Sequence, residues 1–339
     1  MQIQRVHIKM NEKIKNCCVV GYGAIGPVHA EAISSIESAC LYGICDIEKE
    51  RADKGALQYG CKAFYSFEDC LKDENIYSIH ICTPHYLHYE MIEKSLIAGK
   101  MVVIEKPITM KKDEFALLLS KYENKPVYPV MQNRTNTCVV KLKEIIENDK
   151  DLGSLKAVKG ILTWHRTASY YDSAPWRGKK AYEGGGVLIN QAVHTLDLML
   201  YLAGNVKSVT ATTSNKSLQD VIDVEDTVDA LLKFENGATG IFYATNAYGQ
   251  NSKPQIELEF EHASFLYAGG ELYRNKEFIC RDDTTFSGKD YWGSGHSRLF
   301  DDLYTNKKAF TVADVKNTMQ TMFAMYESAE TMETKVLNQ

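Results

Sequence analysis

An apolar run leads directly into a glycine-spaced turn near the N-terminus, in the sequence Cys17-Cys18-Val19-Val20-Gly21-Tyr22-Gly23-Ala24-Ile25-Gly26. The next ten residues have a helix-like pattern, so the turn joins a strand to a helix. In such a turn the first glycine permits a tight bend, the second lets the backbone approach a pyrophosphate and the third lets the helix pack on the strand. The helix N-terminus adds free N–H groups and a positive dipole. We therefore predict dinucleotide binding by Gly21, Tyr22, Gly23, Ala24, Ile25 and Gly26.

Asp46 closes the next apolar run, twenty positions after Gly26. A carboxylate at this place accepts hydrogen bonds from the adenosine ribose hydroxyls and repels a 2′-phosphate. The position favours NAD over NADP as the cofactor. Lys49 and Arg51 follow closely and keep NADP open as the alternative.

Short apolar runs alternate with helix-length amphipathic segments through the first part of the chain, which is typical of a parallel βαβ sheet. Strands are predicted at 16–21, 39–46, 63–65, 78–83, 101–105 and 127–131. Helices are predicted at 26–36, 48–59, 67–71, 85–98 and 112–122. A length of 339 residues favours two domains. We assign residues 1–134 to a Rossmann domain with a doubly wound parallel sheet.

The pattern changes after Arg134. A strongly apolar helix is predicted at 188–202, and a closing helix is predicted at 313–336. Between them, strand-like runs follow one another at 206–213, 227–234, 239–247, 255–260 and 263–268. Consecutive strands without helices between them predict an antiparallel sheet. Residues 135–339 are therefore predicted to form a second, α/β domain.

Composition excludes several classes of function. The formal net charge is −5, whereas nucleic-acid binding requires clustered Lys and Arg. The sequence contains no membrane-length apolar run and no apolar signal-peptide centre near the N-terminus, so we predict a cytoplasmic protein without a membrane partner. The nine cysteines form no CxxC pair, which predicts reduced thiols and no metal site.

Thr83-Pro84 follows a strand-like run at 79–82. The carboxyl ends of parallel strands are where such sheets bind ligands, so both residues are predicted cofactor contacts. His85 and His88 come just after them, and without further ligands nearby they indicate a cofactor edge rather than a metal pair.

Glu105-Lys106-Pro107 ends the apolar run at 101–104. A buried ammonium is costly unless it is paired, so Lys106 is either a catalytic group or half of an ion pair with a glutamate. Pro107 is expected to make a cis bond or another sharp turn that directs Lys106 into the cleft.

Three glycines at 184–186 precede a polar stripe on the helix predicted at 188–202. Asn190, His194 and Asp197 are spaced i, i+4 and i+7, so they would share one face of an otherwise apolar helix. The glycines are expected to let the backbone pass close to a ligand. Together with Lys106, the stripe favours a catalytic site over a core histidine.

The succession of the glycine turn, Asp46, Thr83-Pro84, Glu105-Lys106-Pro107 and the segment 184–197 resembles the Gfo/Idh/MocA family of oxidoreductases. This family includes glucose–fructose oxidoreductase and inositol 2-dehydrogenase. The resemblance covers nearly the whole chain in the expected order. It implies a Rossmann domain, a C-terminal α/β domain with a large open antiparallel sheet, and homodimers or homotetramers built through that sheet.

The resemblance also implies roles for single residues. Lys106 would contact the substrate hydroxyl and the nicotinamide, and His194 would be the general acid and base. Many members have Asp where this chain has Asn190, and because asparagine cannot take a proton, His194 is expected to carry the proton transfer. Asp197 either orients the imidazole or makes a structural bond. Further predicted cofactor contacts are His88, Glu105, Lys106, Trp176 and Arg177.

The loop after residue 163 is rich in rings and guanidinium groups, namely Trp164, His165, Arg166, Tyr170, Tyr171, Trp176 and Arg177. Flat rings stack on sugar faces and arginine binds carboxylates, so we predict a sugar-like substrate, although the rings fit a core or an interface equally well. The predicted substrate contacts are Lys106, Arg134, Trp164, Arg166, Asn190 and His194. Weaker candidates are Tyr248, Tyr291, Trp292 and His296.

Three functions fit this sequence. The leading one is an NAD-dependent dehydrogenase of a secondary hydroxyl in a sugar, sugar acid or cyclitol. The second is elimination or hydrolysis assisted by a recycled NAD, as in glycosidases and anhydro-sugar converters of the family. The third is a non-enzymatic sugar or NAD sensor, against which the presence of both Lys106 and His194 argues.

Overall fold

The computed structural model describes residues 14–283 and 295–337, so both outer limits of the predicted domains lie outside the described residues. The first sheet has the strand order β3-β2-β1-β4-β5-β6, and every pairing in it is parallel. Its strands are β1 Lys15–Val20, β2 Ala39–Cys45, β3 Lys62–Phe64, β4 Ser78–Ile81, β5 Met101–Ile104 and β6 Val127–Pro129. The order reverses between β1 and β4, and a crevice for a ligand opens at the carboxyl ends there.

Helices connect these strands, as βαβ units require. They are α1 Gly26–Ser34, α2 Lys49–Tyr59, α3 Phe67–Lys72, α4 His88–Ile97 and α5 Lys112–Tyr122. Short 3-10 helices lie at His85–Leu87 and Gln132–Thr135. The predicted doubly wound parallel sheet is confirmed.

The second sheet has nine strands in the order β14-β13-β12-β11-β7-β10-β9-β8-β15. These are β7 Leu155–Thr163, β8 Val206–Ser214, β9 Thr227–Phe234, β10 Thr239–Thr245, β11 Gln255–Phe260, β12 Ser264–Ala268, β13 Glu271–Arg274, β14 Glu277–Arg281 and β15 Lys335–Val336. Strand β7 lies between β10 and β11 and runs parallel to β10, while the other pairings are antiparallel. The predicted large, mainly antiparallel sheet is confirmed.

Helices cover one face of this sheet and leave the other open. The helices that pack on it are α6 Thr137–Asn148, α9 Val193–Ala203 and α11 Lys316–Thr331. The further helices of this part of the chain are α7 Ala168–Asp172, α8 Lys180–Glu183 and α10 Gly295–Tyr304, with 3-10 helices at Lys150–Leu152 and Ala313–Val315. Within the described ranges, every helix is too short or too polar to cross a bilayer.

The helix predicted from residue 188 begins instead at Val193. Residues 187–191 form turns, in which the N–H of Asn190 donates to the Gly186 carbonyl and that of Ala192 to the Val187 carbonyl. Asn190 therefore does not share a regular helix face with His194 and Asp197, and the predicted stripe is wrong at its first residue. The reason lies in contacts with distant residues, because the glycines at the bend fit closely against Glu225 and Tyr326.

Helix α10 returns to the first sheet although residue order places it in the second predicted domain. Leu299, Phe300 and Leu303 join the apolar core that contains Val19 and Ile33. The domain limits at 134 and 135 stay a prediction, and the C-terminal part of the chain supplies core to both sheets.

Arg134 joins the end of the first sheet to the helices of the second. Its Nε and one terminal nitrogen donate to the two oxygens of Asp197, at 2.8 and 2.6 Å, and Thr318 also donates to this carboxylate at 2.7 Å. The guanidinium is 4% exposed, and its second terminal nitrogen donates to the Asp314 carbonyl. Arg134 is thus committed to a buried structural pair, which corrects its place among the substrate contacts.

Replacing Asp197 with alanine should destabilise the fold by about 3–5 kcal/mol, because Arg134 would remain buried without its counter-charge. The measurement is urea unfolding of the apo protein. Glu90→Ala is the matched control, since Glu90 pairs with Lys94 across one exposed turn of α4 and such pairs contribute at most about 0.5 kcal/mol. Equal midpoints for the two variants would contradict this role of the buried pair.

Candidate active site

The glycine turn after β1 gives each glycine a different role. Gly21 has φ +91°, and a Cβ there would lie 2.7 Å from the Cys82 carbonyl oxygen. A Cβ at Gly26 would lie 2.3 Å from the Gly21 carbonyl, so this glycine lets α1 pack on the strand end. Gly23 faces open space and has no neighbouring atom within 4 Å of an added Cβ. This opening at the N-terminus of α1 is where a pyrophosphate can approach the backbone.

Asp46 lies at the carboxyl end of β2 with its carboxylate already oriented. One oxygen accepts from the Tyr22 N–H and the other from the Glu48 N–H, both at 2.8 Å. The Tyr22 ring itself is buried against Gly55, so this residue offers its backbone to the site. Each carboxylate oxygen keeps a lone pair for a ribose hydroxyl.

The loop after β4 places Thr83 and Pro84, which are both partly exposed, at the carboxyl edge of the sheet. His88 is fully buried, and its two ring nitrogens lie 2.9 and 2.7 Å from the carbonyl oxygens of Thr83 and Pro107. It therefore fastens two loops together and is corrected from a cofactor contact to a structural residue. The ring of Trp176 packs on His85 at 5.1 Å between centroids, which brings the Trp176 loop to this edge.

Glu105 points into the protein, which corrects its place among the cofactor contacts. His29 lies 2.9 Å and His296 3.7 Å from its Oε1, and the Lys106 N–H donates to its Oε2. Burial opposes ionisation of Glu105, but these hydrogen bonds and the two imidazoles hold its pKa well below the ordinary value. The ligand atoms of His29, Glu105 and His296 all lie within 4.8 Å of one another, a grouping that the sequence spacing does not show.

Lys106 turns away from Glu105 and toward the second sheet. The peptide bond to Pro107 is cis, as the sequence suggested. The Nζ of Lys106 donates to the carbonyl oxygen of Asn190 at 2.7 Å and to its Oδ1 at 3.0 Å. These two hydrogen bonds tie the ammonium of Lys106 to the turn that carries Asn190.

His194 is partly exposed in the first turn of α9. Its Nε2 lies 3.5 Å from the amide nitrogen of Gln132, and its Nδ1 has no hydrogen-bond partner among residues 14–283 and 295–337. Burial, followed by the charge of Lys106, lowers the pKa of the imidazole from 6.5 to about 3. The neutral ring is therefore ready to accept a proton at neutral pH.

Asp197 accepts two hydrogen bonds from Arg134, so it orients this guanidinium rather than His194. Of the two roles left open by the sequence, the structure gives it the structural one. Gln132, which the sequence did not single out, is the side chain that approaches the imidazole.

The glycine triplet is needed for protein contacts rather than for a ligand. A Cβ at Gly186 would lie 1.9 Å from the Glu225 carbonyl oxygen, and one at Gly185 would lie 2.1 Å from the Tyr326 hydroxyl. The buried Glu225 carboxylate accepts from the N–H groups of Gly186 and Leu188 at 2.8 and 3.0 Å. This carboxylate, which the sequence analysis missed, fixes the turn that presents Asn190.

The aromatic loop divides into buried and accessible parts. Trp164 is buried in the core and its indole N–H donates to the Ser252 carbonyl, which corrects its place among the substrate contacts. Arg166 lies over Trp164 and Arg177 over Trp176, at 4.6 and 4.8 Å from the ring centroids. The Nε atoms of both arginines lack a hydrogen-bond partner in the described part of the chain.

The weaker candidates for substrate contacts also divide into buried and exposed residues. His296 belongs to the buried contacts of Glu105, whereas Tyr248 is exposed. Tyr291 and Trp292 lie outside the described residues.

Comparison with known families decides the relationship. Residues 15–131 match the oxidoreductase family with an NAD-binding Rossmann fold, and residues 139–266 match the GFO/IDH/MocA C-terminal domain. The chain belongs to the Gfo/Idh/MocA family. The predicted fold class, the NAD cofactor and the oxidoreductase class are confirmed by this membership.

Similar proteins of known activity are distant in sequence. The chain is 25% identical over 284 residues to levoglucosan dehydrogenase of Pseudarthrobacter phenanthrenivorans, which covers 74% of this chain and 73% of that one. It is 26% identical over 247 residues to myo-inositol 2-dehydrogenase of Thermotoga maritima, with 70% and 71% covered. The WlbA dehydrogenase of Bordetella pertussis, solved with NADH and UDP-GlcNAcA, superposes with a TM-score of 0.83 at 27% identity and covers 96% of this chain and 100% of that one.

Asp46→Ser should shift cofactor preference toward NADP, because it removes the charge that repels a 2′-phosphate. We expect the NADP/NAD ratio of dissociation constants to fall by at least about tenfold, a change of about 1.4 kcal/mol. The measurement is titration of the free protein with each reduced nucleotide. Glu48→Ser, which removes an exposed carboxylate beside it, is the control, and an equal shift in both variants would contradict the assignment.

Lys106→Met should raise the pKa of His194 above about 3, because one of the two main causes of its lowering is removed. The measurement is a pH titration of the ring by NMR, with the resonance assigned by its loss in His194→Asn. Lys112→Met removes an exposed lysine instead and should leave the titration unchanged. An unshifted His194 in Lys106→Met would show that the ammonium does not act on this ring.

Proposed function

We propose that this enzyme oxidises a secondary hydroxyl of a carbohydrate-like molecule, a sugar, sugar acid or cyclitol, with NAD as the hydride acceptor. The observation that carries the proposal is the meeting of a charged lysine and a neutral histidine at one cleft. Lys106 arrives from the end of β5, and His194 arrives from the start of α9.

The two side chains have complementary roles in the proposed reaction. The neutral imidazole of His194 takes the hydroxyl proton as general base, and Lys106 stabilises the negative charge that develops on the same oxygen. NAD, when bound, supplies the electrophilic C4 carbon that accepts the hydride. Gln132 supports the ring of His194, and Asn190 holds the ammonium of Lys106. The lowered pKa keeps the imidazole of His194 in its neutral, proton-accepting form at neutral pH.

The substrate class is supported by groups beside this cleft and by relatives. Arg177 stacks on Tyr170 and Trp176, and a guanidinium set among rings in this way is a group that binds hydroxyls and carboxylates. Levoglucosan dehydrogenase and myo-inositol 2-dehydrogenase, both named for polyhydroxylated ring compounds, are among the similar proteins.

We propose that the open face of the nine-stranded sheet joins copies of the chain into a homodimer or homotetramer. Outward residues of two central strands are exposed there, with Leu231 65% and Ile241 47% accessible. Leu231 and Ile241 lie opposite each other on β9 and β10, and exposed apolar side chains grouped in this way are typical of an interface. The predicted cytoplasmic location accords with the nine cysteines, which are all free thiols.

The test of the function is a screen of sugars, cyclitols, sugar acids and nucleotide sugars with NAD and NADP, followed by absorbance at 340 nm. Net NADH formation supports the dehydrogenase. Product formation without NADH would point to the recycled-cofactor chemistry, and NAD binding without turnover of any compound would point to a sensor.

With an active substrate, Lys106→Met and His194→Asn should each lower kcat by about 10²–10⁴-fold, because proton transfer and charge stabilisation are lost. The dissociation constant of NADH should change less than about threefold, since neither residue holds the pyrophosphate or the ribose. Lys112→Met is the surface control. Near-normal turnover in His194→Asn would remove it as the general base.

A further inference from the structure

A second buried carboxylate lies directly behind Asn190. Glu183 is the last residue of α8, immediately before the glycine triplet, and is 1% exposed. Its Oε1 accepts from the side-chain N–H of Asn190, and its Oε2 accepts from the backbone N–H of Gly178. The three polar groups Lys106, Asn190 and Glu183 therefore form one continuous chain of hydrogen bonds.

Only one orientation of the Asn190 amide gives every group in this chain of hydrogen bonds a suitable partner. An ammonium can only donate, and both oxygens of Glu183 accept, so the amide between them turns its oxygen to Lys106 and its nitrogen to Glu183. Glu183 thereby fixes the orientation of the Asn190 amide. With the amide reversed, its N–H group would face the ammonium and neither contact would form.

Charged and titratable groups surround Glu183 from several elements. Burial raises the pKa of Glu183, and the hydrogen bonds from Gly178 and Asn190 together with the positive charges of Arg177 and Lys106 act against this rise. The other titratable groups that face it are His85, which contacts its carbonyl, and the hydroxyls of Tyr171 and Tyr326.

We propose that Glu183 is a positioning residue for the hydride-transfer reaction. It orients Asn190, and through Asn190 its negative charge holds Lys106 in place. The inference rests on the proposed function of Lys106. It also gives a physical reason for asparagine at position 190, because an aspartate there would set two carboxylates against each other.

Glu183→Gln should disrupt this chain of hydrogen bonds, although glutamine has nearly the same shape as glutamate. If the oxygen of the introduced amide faces Asn190, its nitrogen meets the Gly178 N–H, and if the oxygen faces Gly178, the nitrogen meets the N–H group of Asn190. Asn190→Asp should fail for the opposite reason, through contact between two carboxylates. Each single change should lower kcat by about 10²-fold, the size of effect that misplacement of a reacting group produces.

The double change Glu183→Gln with Asn190→Asp should restore activity to within about tenfold of the wild type, because every donor again meets an acceptor. The introduced carboxylate would accept from Lys106 and from the nitrogen of the introduced amide, whose oxygen would accept from Gly178. Glu225→Gln provides the comparison, since Glu225 is a buried carboxylate of the same turn that does not contact the Asn190 side chain. Asn190→Asp should not rescue this variant.

A second readout does not depend on turnover. The acetylation rate of Lys106 by acetic anhydride, followed by mass spectrometry at neutral pH, should rise about tenfold in Glu183→Gln and return toward the wild-type rate in the double variant. NADH binding and thermal midpoints should be measured for every variant to show that each is folded.

The results separate the two proposals. A wild type that turns over no carbohydrate but shows this order of labelling rates supports Glu183 as the partner of Lys106 and contradicts the proposed dehydrogenase function. An active wild type with equal labelling rates in all variants, or a double variant no better than the singles, overturns the role of Glu183.

Discussion

The ammonium of Lys106 bound to Asn190 is the contact on which the site depends. It joins the carboxyl end of β5 in the first sheet to the glycine turn that precedes α9 in the second. Both acceptors belong to Asn190, one on the backbone and one on the side chain. Burial, followed by the charge of Lys106, lowers the pKa of His194, so the position of Lys106 affects both halves of the site.

Buried charge elsewhere in the fold serves to keep this contact in place. The Arg134–Asp197 pair ties the end of the Rossmann sheet to α9 and α11. Glu225 fixes the glycine triplet, and Glu183 fixes the amide of Asn190. Each of these groups is buried and hydrogen-bonded, as buried charges must be, and each would be costly to leave without its partner.

Local features of the sequence predicted the fold and the NAD cofactor. Gly21, Gly26 and Asp46 act through backbone spacing within one strand–turn–helix unit, so their roles follow from residue order. The direction of a side chain after two sheets dock does not follow from residue order. The side chains of Glu105 and His88 point into the protein, and Arg134 forms an ion pair with Asp197, which lies sixty-three positions later. Gln132, Glu183 and Glu225 carry no motif and are recognised only by their contacts.

The mixed outcome at residues 184–197 has a single physical cause. Periodicity predicted a continuous helix, but glycines that accommodate Glu225 and Tyr326 bend the chain and free Asn190 from the helix. The sequence pattern singled out the polar residues of this segment, whereas their geometry depends on contacts with distant parts of the chain. For a site between two sheets, a sequence indicates which residues take part more readily than it indicates how they are arranged.

The most direct test of the central claim is the fate of the hydrogen on the carbon that bears the reacting hydroxyl. The wild-type enzyme would be given NAD and an active carbohydrate deuterated at that carbon, and the nucleotide would be analysed by mass spectrometry. Direct hydride transfer predicts one deuterium in each NADH formed. Product carrying solvent hydrogen with unlabelled nucleotide, or turnover that leaves the deuterium in place, would contradict it.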